Sequence, residues 1–199
     1  MGDAGPTSSG TVQAFQPRTV WIALAMLLVT IVALRLLGQP FWCECGSLVP
    51  WSWDIDSQHC SQHLIDAYFF THVLHGLVFY VLLVVVVRWP RTVSSRFLAV
   101  LFLECFWEVL ENSPPIIERY RTVTLSLGYF GDSIANSIVD ILACCFGAWI
   151  ACRAKVWQSV TVFVATELLL LATIRDCLTL NVVMLPFPID AILEWQKGG

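Results

Sequence analysis

Five apolar runs, each close to the length of a membrane-crossing helix, alternate with short polar stretches along the chain. A hydrocarbon core about 30 Å thick requires about 20 residues of α-helix to cross it, which is the length that these runs supply. The pattern therefore predicts five transmembrane spans, at residues 19–37, 69–87, 97–113, 132–152 and 156–175.

The composition supports a membrane protein. Of the 199 residues, 57% are hydrophobic and only 13% are charged, whereas soluble domains have about 25% charged residues. We predict an all-α transmembrane bundle in which residues 18–199 form a single integral membrane domain, preceded by a disordered cytoplasmic tail at residues 1–17. The bilayer is the expected partner. The net charge is −4, and no basic cluster has a pattern that indicates nucleic-acid binding.

The charges of the short turns predict the orientation of the spans. Basic residues cluster at 88–96 and at 153–155, and the positive-inside rule places both turns in the cytoplasm. The N-terminus then lies in the cytoplasm and the C-terminus outside, in a multi-pass protein of the cell inner membrane. Residues 38–68 and 114–131 become external loops.

Two features do not follow the simple five-span pattern. Arg119 and Arg121 are external in this topology, against the positive-inside rule, and we interpret them as arginines held by carboxylates; a sixth span or another topology is the alternative explanation. The segment after Asp176 is apolar but too short and too rich in proline to cross a bilayer. It is predicted to be an interfacial or re-entrant segment anchored by Trp195.

Three carboxylates interrupt the third apolar run. Glu104, Glu108 and Glu111 fall on one narrow stripe of a helix. A charged carboxylate near the bilayer centre costs about 2.5 to 3.5 kcal/mol, so the stripe should face the protein interior and meet partners there. The predicted topology brings such partners to the same external end: His72 and His75 on the second span, Asp132 on the fourth, and Arg175 and Asp176 on the fifth. Asn136 and Asp140 continue the stripe of Asp132 along the fourth span, and Glu167 lies in the middle of the fifth.

Carboxylates outnumber arginines in this set, which leaves an excess of negative charge. Protonated histidines or a divalent cation can balance that charge, and protonation of some carboxylates removes part of it. Histidine and carboxylate on facing helices suit zinc or another first-row metal. We assign the candidate residues accordingly: metal ligands His72, His75 and Asp132; catalytic bases Glu108 and Glu111; substrate-binding residues Arg119, Arg121, Arg175, Asn136 and Asp140; and further buried ionisable groups Glu104, Glu167 and Asp176.

Three functions fit this set. The first is a metal-assisted membrane hydrolase that acts on a lipid or envelope-linked substrate. The second is a proton-coupled transporter in which Glu104, Asp140 and Glu167 relay protons. The third is a non-catalytic protein that assembles with other membrane proteins or as a homo-oligomer, with its polar core fixing helix packing.

Cys43, Cys45 and Cys60 lie in the first predicted external loop. Cys43 and Cys45 are too close in sequence for an easy mutual disulfide, so pairing of one of them with Cys60 is favoured. In a periplasmic loop, a structural disulfide is favoured over a redox centre. His59 and His63 lie in the same loop as surface histidines, with His63 a further candidate for the site.

Short polar motifs mark the chain between residues 40 and 196: Cys43-Glu-Cys45-Gly46, Ser61-Gln62-His63, His72-x-x-His75-Gly76, Glu111-Asn112-Ser113-Pro114, Arg119-Tyr120-Arg121, Gly131-Asp132-Ser133 and Ile174-Arg175-Asp176. Their combination resembles an uncharacterised family of bacterial inner-membrane proteins, mostly alphaproteobacterial. The resemblance implies a polytopic cell-membrane protein without an assigned activity. More distantly, the order of histidine, glutamate and aspartate on successive spans is similar to VanZ-like membrane proteins, an analogy that supplies no reaction.

Overall fold

The computed structural model describes residues 16–124 and 128–198. Over these residues the chain forms eight α-helices and one pair of two-residue parallel strands, which confirms the all-α fold class. The strands are β1 (Trp51–Ser52) and β2 (Ile65–Asp66). The helices are α1 (Pro17–Leu36), α2 (Phe69–Leu82), α3 (Val93–Glu111), α4 (Pro114–Val123), α5 (Ile134–Arg153), α6 (Val156–Ile174), α7 (Leu178–Met184) and α8 (Asp190–Gln196).

Four helices in the described part of the chain are long and apolar enough to cross a membrane. Helix α2 reaches this length because a π-helical turn, Leu83–Val87, continues it. The four segments have mean hydropathies between 1.5 and 2.3, and they are Pro17–Leu36, Phe69–Val87, Ile134–Arg153 and Val156–Ile174. The protein is therefore a helical membrane protein.

Helix α3 contains most of the third predicted span. It has 19 residues, but its three glutamates and Arg96 make it more charged than the four apolar helices. It packs against α1 and α5 within the bundle. A fifth membrane crossing, by α3, remains a prediction.

The two ends of the chain are the predicted N-terminal tail and a pair of short C-terminal helices. Residues 1–15 of the predicted tail lie outside the described residues, and α1 already begins at Pro17, whose fixed φ suits the first helical position. At the other end, α7 and α8 have seven residues each. Each is about 10 Å long, which is too short to cross a bilayer.

Close packing of α2 against α5 forms the centre of the bundle. A Cβ atom at Gly76 would overlap the carbonyl oxygen of Cys144, and one at Gly147 would overlap that of Val73. Small residues at a crossing let helix backbones approach closely, which is a common contact between membrane helices. His72 faces Asp140 near the N-termini of the two helices, and Tyr80 and Ala151 share an apolar cluster near their C-termini, so α2 and α5 run in the same direction.

The segment between α1 and α2 covers the N-terminus of α5. The backbone amides of Ser133 and Ile134 donate to the carbonyl oxygens of Ser61 and Pro40, at 2.9 and 2.8 Å. These carbonyls satisfy amides that a helix N-terminus leaves without partners. The loop is thereby attached to the end of the bundle at which the polar residues of α2, α3 and α5 converge.

Candidate functional site

Two histidines of α2 and one glutamate of α3 form the core of the site. Nδ1 of His72 lies 2.6 Å from Oε1 of Glu104, and Nδ1 of His75 lies 3.2 Å from both oxygens of that carboxylate. Glu104 is completely buried, and both histidines are buried as well. One ligand atom from each of the three residues lies within 4.8 Å of the others, so the group has the dimensions to hold a metal ion.

Carboxylates without hydrogen-bond partners surround this core. Oε1 of Glu108 lies 3.5 Å from Nδ1 of His72, and Oδ2 of Asp140 lies 4.0 Å from the other ring nitrogen of His72. Within the described residues, both oxygens of Glu108, Oε2 of Glu111 and Oδ1 of Asp140 are buried and have no hydrogen-bond partner. Leaving a buried polar atom unpaired costs about 1–3 kcal/mol, so this concentration of unpaired oxygens makes the cluster a candidate functional site. His72, Glu108 and Glu111 form a second group whose ligand atoms lie within 4.8 Å.

A cavity of about 300 Å³ adjoins the site. His75 and Glu111 line it, together with apolar side chains of α2, α3 and α7 such as Phe79, Trp107 and Val182. Residues of the loop between α1 and α2 also contribute to its wall. The polar groups at one part of the wall and the apolar surface elsewhere suit an amphiphilic ligand.

Three tyrosines belong to this neighbourhood and were not predicted from the sequence. Tyr68, Tyr120 and Tyr129 line the cavity, and Tyr120 forms a hydrogen bond with Glu111. Burial raises the pKa of the Tyr120 hydroxyl well above its ordinary value, so this tyrosine is a hydrogen-bond donor at neutral pH. Their only sequence signal is proximity to charged motifs in the predicted external loops.

Asp66 sets the start of the helix that carries the histidines. Its Oδ1 accepts from the backbone amides of Tyr68 and Phe69 at 2.7 and 3.1 Å, in the manner of an N-terminal cap. Its Oδ2 accepts from the amide and the hydroxyl of Ser61 at 2.9 and 3.1 Å. The carboxylate thus joins the loop to the first turn of α2, upstream of His72.

Asp132, a predicted metal ligand, lies outside the two metal-sized groups. Its carboxylate accepts from Asn112 Nδ2 at 2.8 Å and from the Tyr129 hydroxyl at 3.0 Å. Its backbone amide donates to Asn112 Oδ1 at 2.6 Å. Asp132 therefore connects the end of α3 to the start of α5. The carboxylate that lies beside both histidines is Glu104, not Asp132.

The predicted substrate-binding residue Asn136 is completely buried on α5. Its Nδ2 lies 3.5 Å from the carbonyl oxygen of Leu64, and its Oδ1 has no hydrogen-bond partner within the described residues. Asp140, one turn further along α5, faces His72.

The interpretation that carboxylates hold Arg119 and Arg121 is wrong. In the described part of the chain, the ion pairs within 4 Å join histidines to carboxylates, and the arginines bind backbone carbonyls. A backbone carbonyl oxygen has two lone pairs and can therefore accept a hydrogen bond from a guanidinium. The bonds are Arg119 Nε to Leu185 O at 2.7 Å, Arg121 Nε to Tyr129 O, and Arg175 Nη1 to Trp195 O at 3.4 Å.

Glu167 and Asp176 hold the C-terminal helices and do not contact the histidines. The two oxygens of Glu167 accept from the amides of Leu178 and Thr179, at 2.9 and 3.0 Å, and so cap α7. Asp176 accepts from the hydroxyl of Tyr68 at 2.9 Å and from Gln196 of α8 at 3.0 Å. Burial raises the pKa of Asp176 to about 6.

The predicted disulfide involving Cys60 is wrong. Among the described residues all eight cysteines are free, and the Cys60 sulfur lies 4.0 Å from the Ser61 hydroxyl. The structure brings Cys43 and Cys45 to each other and to histidines of the same loop.

Comparison with known proteins supports the family resemblance. Residues 34–198 match the family described as "Protein of unknown function (DUF2585)". No solved structure matches the chain, and the distant similarity to VanZ-like proteins stays a prediction.

Relatives occur in several alphaproteobacteria. A UPF0314 protein of Sphingopyxis alaskensis is 41% identical over 186 residues, which cover 92% of this chain and 97% of the relative. A relative from Rhizobium etli is 43% identical, and the match covers 88% of this chain and 89% of the relative. A relative from Paracoccus denitrificans is 44% identical, and the match covers 89% of this chain and 92% of the relative. The chain therefore belongs to the DUF2585, or UPF0314, family of proteins of unknown function.

Proposed function

We propose that this protein is a metal-dependent membrane hydrolase, that His72, His75 and Glu104 hold the metal, and that the substrate is a lipid or an envelope-linked amphiphile. The observation that carries the proposal is the junction of the buried histidine–glutamate group with the cavity, through His75. Two imidazoles and one carboxylate form a common ligand set of catalytic zinc, which keeps a further position open for water or substrate.

The distances in the group fit a metal of this kind. Nitrogen and oxygen ligands at about 2.0–2.1 Å from a tetrahedral ion lie about 3.3 Å from one another. His75 and Glu104, at 3.2 Å, already have this spacing. The imidazole of His72, at 2.6 Å from Glu104, would have to move away by about 0.7 Å to reach it.

Glu108 and Glu111 are the best candidates for the catalytic base. Both have buried oxygens without hydrogen-bond partners in the described residues, and Glu111 also lines the cavity. A bound zinc ion supplies polarisation of a coordinated water. A carboxylate oxygen without a hydrogen-bond partner, such as either oxygen of Glu108 or Oε2 of Glu111, can accept a proton from a reacting group without losing a hydrogen bond.

The cavity indicates the class of substrate. Its apolar wall, from Val78 and Phe79 to Val182 and Leu185, suits an acyl or isoprenoid chain, and His75 and Glu111 lie where a polar head group would meet them. The three arginines bind carbonyls through the contacts described above. An anionic group on the substrate therefore has fewer partners than the sequence indicated.

Packing below the site favours an enzyme over a carrier. The half of the bundle beyond the histidines is an apolar cluster that includes Leu77, Leu83, Val100 and Ala148. Protons or ions crossing the membrane would need polar groups or water there. Glu167, which a proton relay would require, has both oxygens engaged with the N-terminus of α7.

We also propose a location in the inner membrane with the site facing the external side. The basic turn after α2 and the one after α5 both follow the C-termini of these helices, while the site lies at their N-termini. The positive-inside rule then places the site outside the cytoplasm. An alkaline phosphatase fused to the C-terminus should be active in intact cells, and an inactive but stably inserted fusion would contradict this orientation.

The test of the proposed function combines metal analysis with turnover. Protein purified through a tag without histidine should contain zinc, and His75→Ala should lose one equivalent. Incubated with extracted bacterial envelope lipids, the zinc-containing protein should release water-soluble or free-acid products detectable by mass spectrometry. Glu108→Gln or Glu111→Gln, whichever removes the base, should retain zinc and lower the rate by about 10²–10⁴-fold.

Glu118→Gln is the matched control, because Glu118 is an exposed residue of α4 outside the site. It should keep both zinc and rate. Wild-type protein without bound metal, zinc-loaded protein that releases no product from any extract, or full turnover in both base variants would each refute the proposal.

A further inference from the structure

Two thiols and two imidazoles converge in the loop between α1 and α2, apart from the buried centre. The sulfur of Cys43 lies 3.3 Å from Nδ1 of His59, and the sulfur of Cys45 lies 3.7 Å from Nε2 of His63. The two sulfurs are 2.8 Å apart. One ligand atom from each of the four residues lies within 4.8 Å of every other.

Neighbouring groups orient these side chains for a common centre. The other ring nitrogen of His63, Nδ1, forms a hydrogen bond with the carbonyl oxygen of Val49, which fixes that nitrogen as the donor. Nε2 therefore carries the free lone pair toward Cys45. Metal-binding histidines usually have such a bond from the nitrogen that does not bind the metal. The backbone amide of Cys45 also points at the sulfur of Cys43, at 3.4 Å.

We propose that Cys43, Cys45, His59 and His63 form a structural zinc site that closes the external loop. Two cysteines and two histidines are a ligand set typical of closed, four-coordinate structural zinc, and the His-x₃-His spacing is one that such sites use. The softness of the thiolates disfavours magnesium and calcium. This site does not depend on the proposed hydrolase, because it shares no residue with the buried centre.

The distances are close to those of a zinc site. Around tetrahedral zinc, sulfur and nitrogen ligands lie about 3.6 Å apart, and two sulfurs about 3.8 Å. The two sulfur–nitrogen distances, 3.3 and 3.7 Å, already match. The two sulfurs, at 2.8 Å, must separate by about 1 Å, which a small rotation of the exposed Cys45 side chain supplies.

The site is both reachable and useful to the fold. Cys43, Cys45 and His59 line a surface groove of about 830 Å³, which gives an ion access to the ligands. The ligands come from two arms of the loop, residues 43–45 and 59–63, and the second arm leads through Ser61 to the wall of the cavity. A zinc ion would join the two arms and hold the cavity wall in place, as a structural metal does in a segment with little apolar core.

A Cys43–Cys45 disulfide is the competing state of the two thiols. The observed separation of 2.8 Å is longer than the S–S bond of about 2.05 Å. Oxidation would remove both thiolates as ligands and leave His59 and His63 without metal. The experiment must therefore distinguish zinc from a disulfide, and this site from the buried one.

The test uses the full-length reduced protein, freed of metal and loaded with Co²⁺. Bound cobalt should show thiolate-to-cobalt charge-transfer absorption in the near ultraviolet, which a centre made only of histidine and carboxylate does not give. Cys43→Ser and Cys45→Ser should abolish the band, and His59→Ala should abolish it or weaken it strongly. Cys60→Ser, a thiol of the same loop outside the group, and His75→Ala, a ligand of the buried centre, should leave it unchanged.

Zinc content separates the two sites. If both proposals hold, wild-type protein binds two equivalents of zinc and Cys43→Ser binds one. If only the loop site exists, wild-type protein binds one equivalent and Cys43→Ser binds none. His59 is exposed, so His59→Ala gives a second route to the answer if a cysteine variant fails to fold. Absence of the charge-transfer band in reduced wild-type protein, its persistence in Cys43→Ser, or a Cys43–Cys45 disulfide in zinc-free protein isolated without reductant would overturn the proposal.

Discussion

Glu104 and Glu108 lie one turn apart on α3, and both side chains are completely buried. Glu104 contacts two histidines, whereas neither oxygen of Glu108 has a hydrogen-bond partner in the described part of the chain. The same substitution should therefore give opposite results at the two positions. Removing one partner of a buried ion pair costs about 3–5 kcal/mol, because the other partner is left without compensation. Glu108→Gln breaks no hydrogen bond. It loses only a 3.5 Å ion-pair contact with His72, which keeps its closer partner Glu104, and it removes a carboxylate whose burial without hydrogen bonds costs about 1–3 kcal/mol.

Thermal unfolding in detergent with a metal chelator measures the difference directly. In a protein of about this size, 1 kcal/mol shifts the midpoint by about 2–4 °C. Glu104→Gln should lower the midpoint by on the order of 10 °C, and Glu108→Gln should leave it unchanged or raise it by a few degrees. The two variants control for each other, since helix, burial and chemical change are the same.

Adding zinc extends the comparison to the proposed ligands. At a free concentration about 100 times its dissociation constant, zinc should stabilise the wild type and Glu108→Gln by about 2.7 kcal/mol each. Glu104→Gln, which lacks a ligand, should gain much less from the buried centre; a Cys43→Ser background removes the contribution of the loop site. Equal loss of stability in both variants without metal would refute the reasoning that histidine contacts, and not burial alone, determine the cost.

Three further predictions concern the frame around the site. Gly76→Ala should lower the midpoint strongly or prevent folding, because the new methyl group overlaps the carbonyl of Cys144; Gly128→Ala, which meets only an ordinary contact, is the control. Glu167→Ala should leave two amides of α7 without acceptors, so hydrogen exchange of α7 should accelerate while that of α2 stays slow. Burial raises the pKa of Asp176 from 3.8 to about 6, so the folded protein binds this proton more tightly than the unfolded chain does, and stability should fall by on the order of 3 kcal/mol between about pH 4 and pH 6. Asp176→Asn should flatten that pH dependence in unfolding measurements, and an unchanged slope would contradict the assignment.

Hydrophobic patterning and loop charge predicted which residues share one end of the bundle. Helical periodicity placed Glu104, Glu108 and Glu111 on one face, the cost of a charge in lipid turned that face toward the protein interior, and the positive-inside rule put its outer end at the same side of the membrane as the histidines of α2. The structure brings Glu104 and Glu108 to His72 at the distances given above. These predictions succeeded because they depend on period and polarity, which a single sequence records.

The third residue of the histidine group could not be predicted, because periodicity gives the angle of a side chain but not its depth relative to a neighbouring helix. The close contact of Gly76 with α5 sets the level at which α2 passes the other helices. At that level the histidines meet Glu104, while Asp132 lies at the end of α3 beside Asn112. A glycine in an apolar run indicates close helix packing, but the sequence does not show which residue of which helix packs against it.

The arginines and the loop cysteines were misinterpreted for a common reason, since each was assigned the strongest partner that its charge or thiol allows. In the structure, Arg119 and Arg175 bind backbone carbonyl oxygens of the C-terminal segment, at Leu185 and Trp195. Cys43 and Cys45 lie next to His59 and His63, which have the spacing of a histidine pair in zinc sites. The sequence shows which partners are chemically possible, but only the fold decides which of them lie within reach.

The loop and the buried centre are mechanically connected through Asp66. One oxygen of this carboxylate accepts from Ser61, two residues before His63, and the other accepts from the amides of Tyr68 and Phe69 at the start of α2, about one turn before His72. A change in the loop that displaces Ser61 would therefore be passed to the helix that positions both histidines. The contact of His75 with Glu104, at 3.2 Å, is sensitive to shifts of less than 1 Å. The folded loop thus helps to position the histidine–glutamate group for which we propose a metal, which gives a physical reason for the two clusters to occur in the same protein.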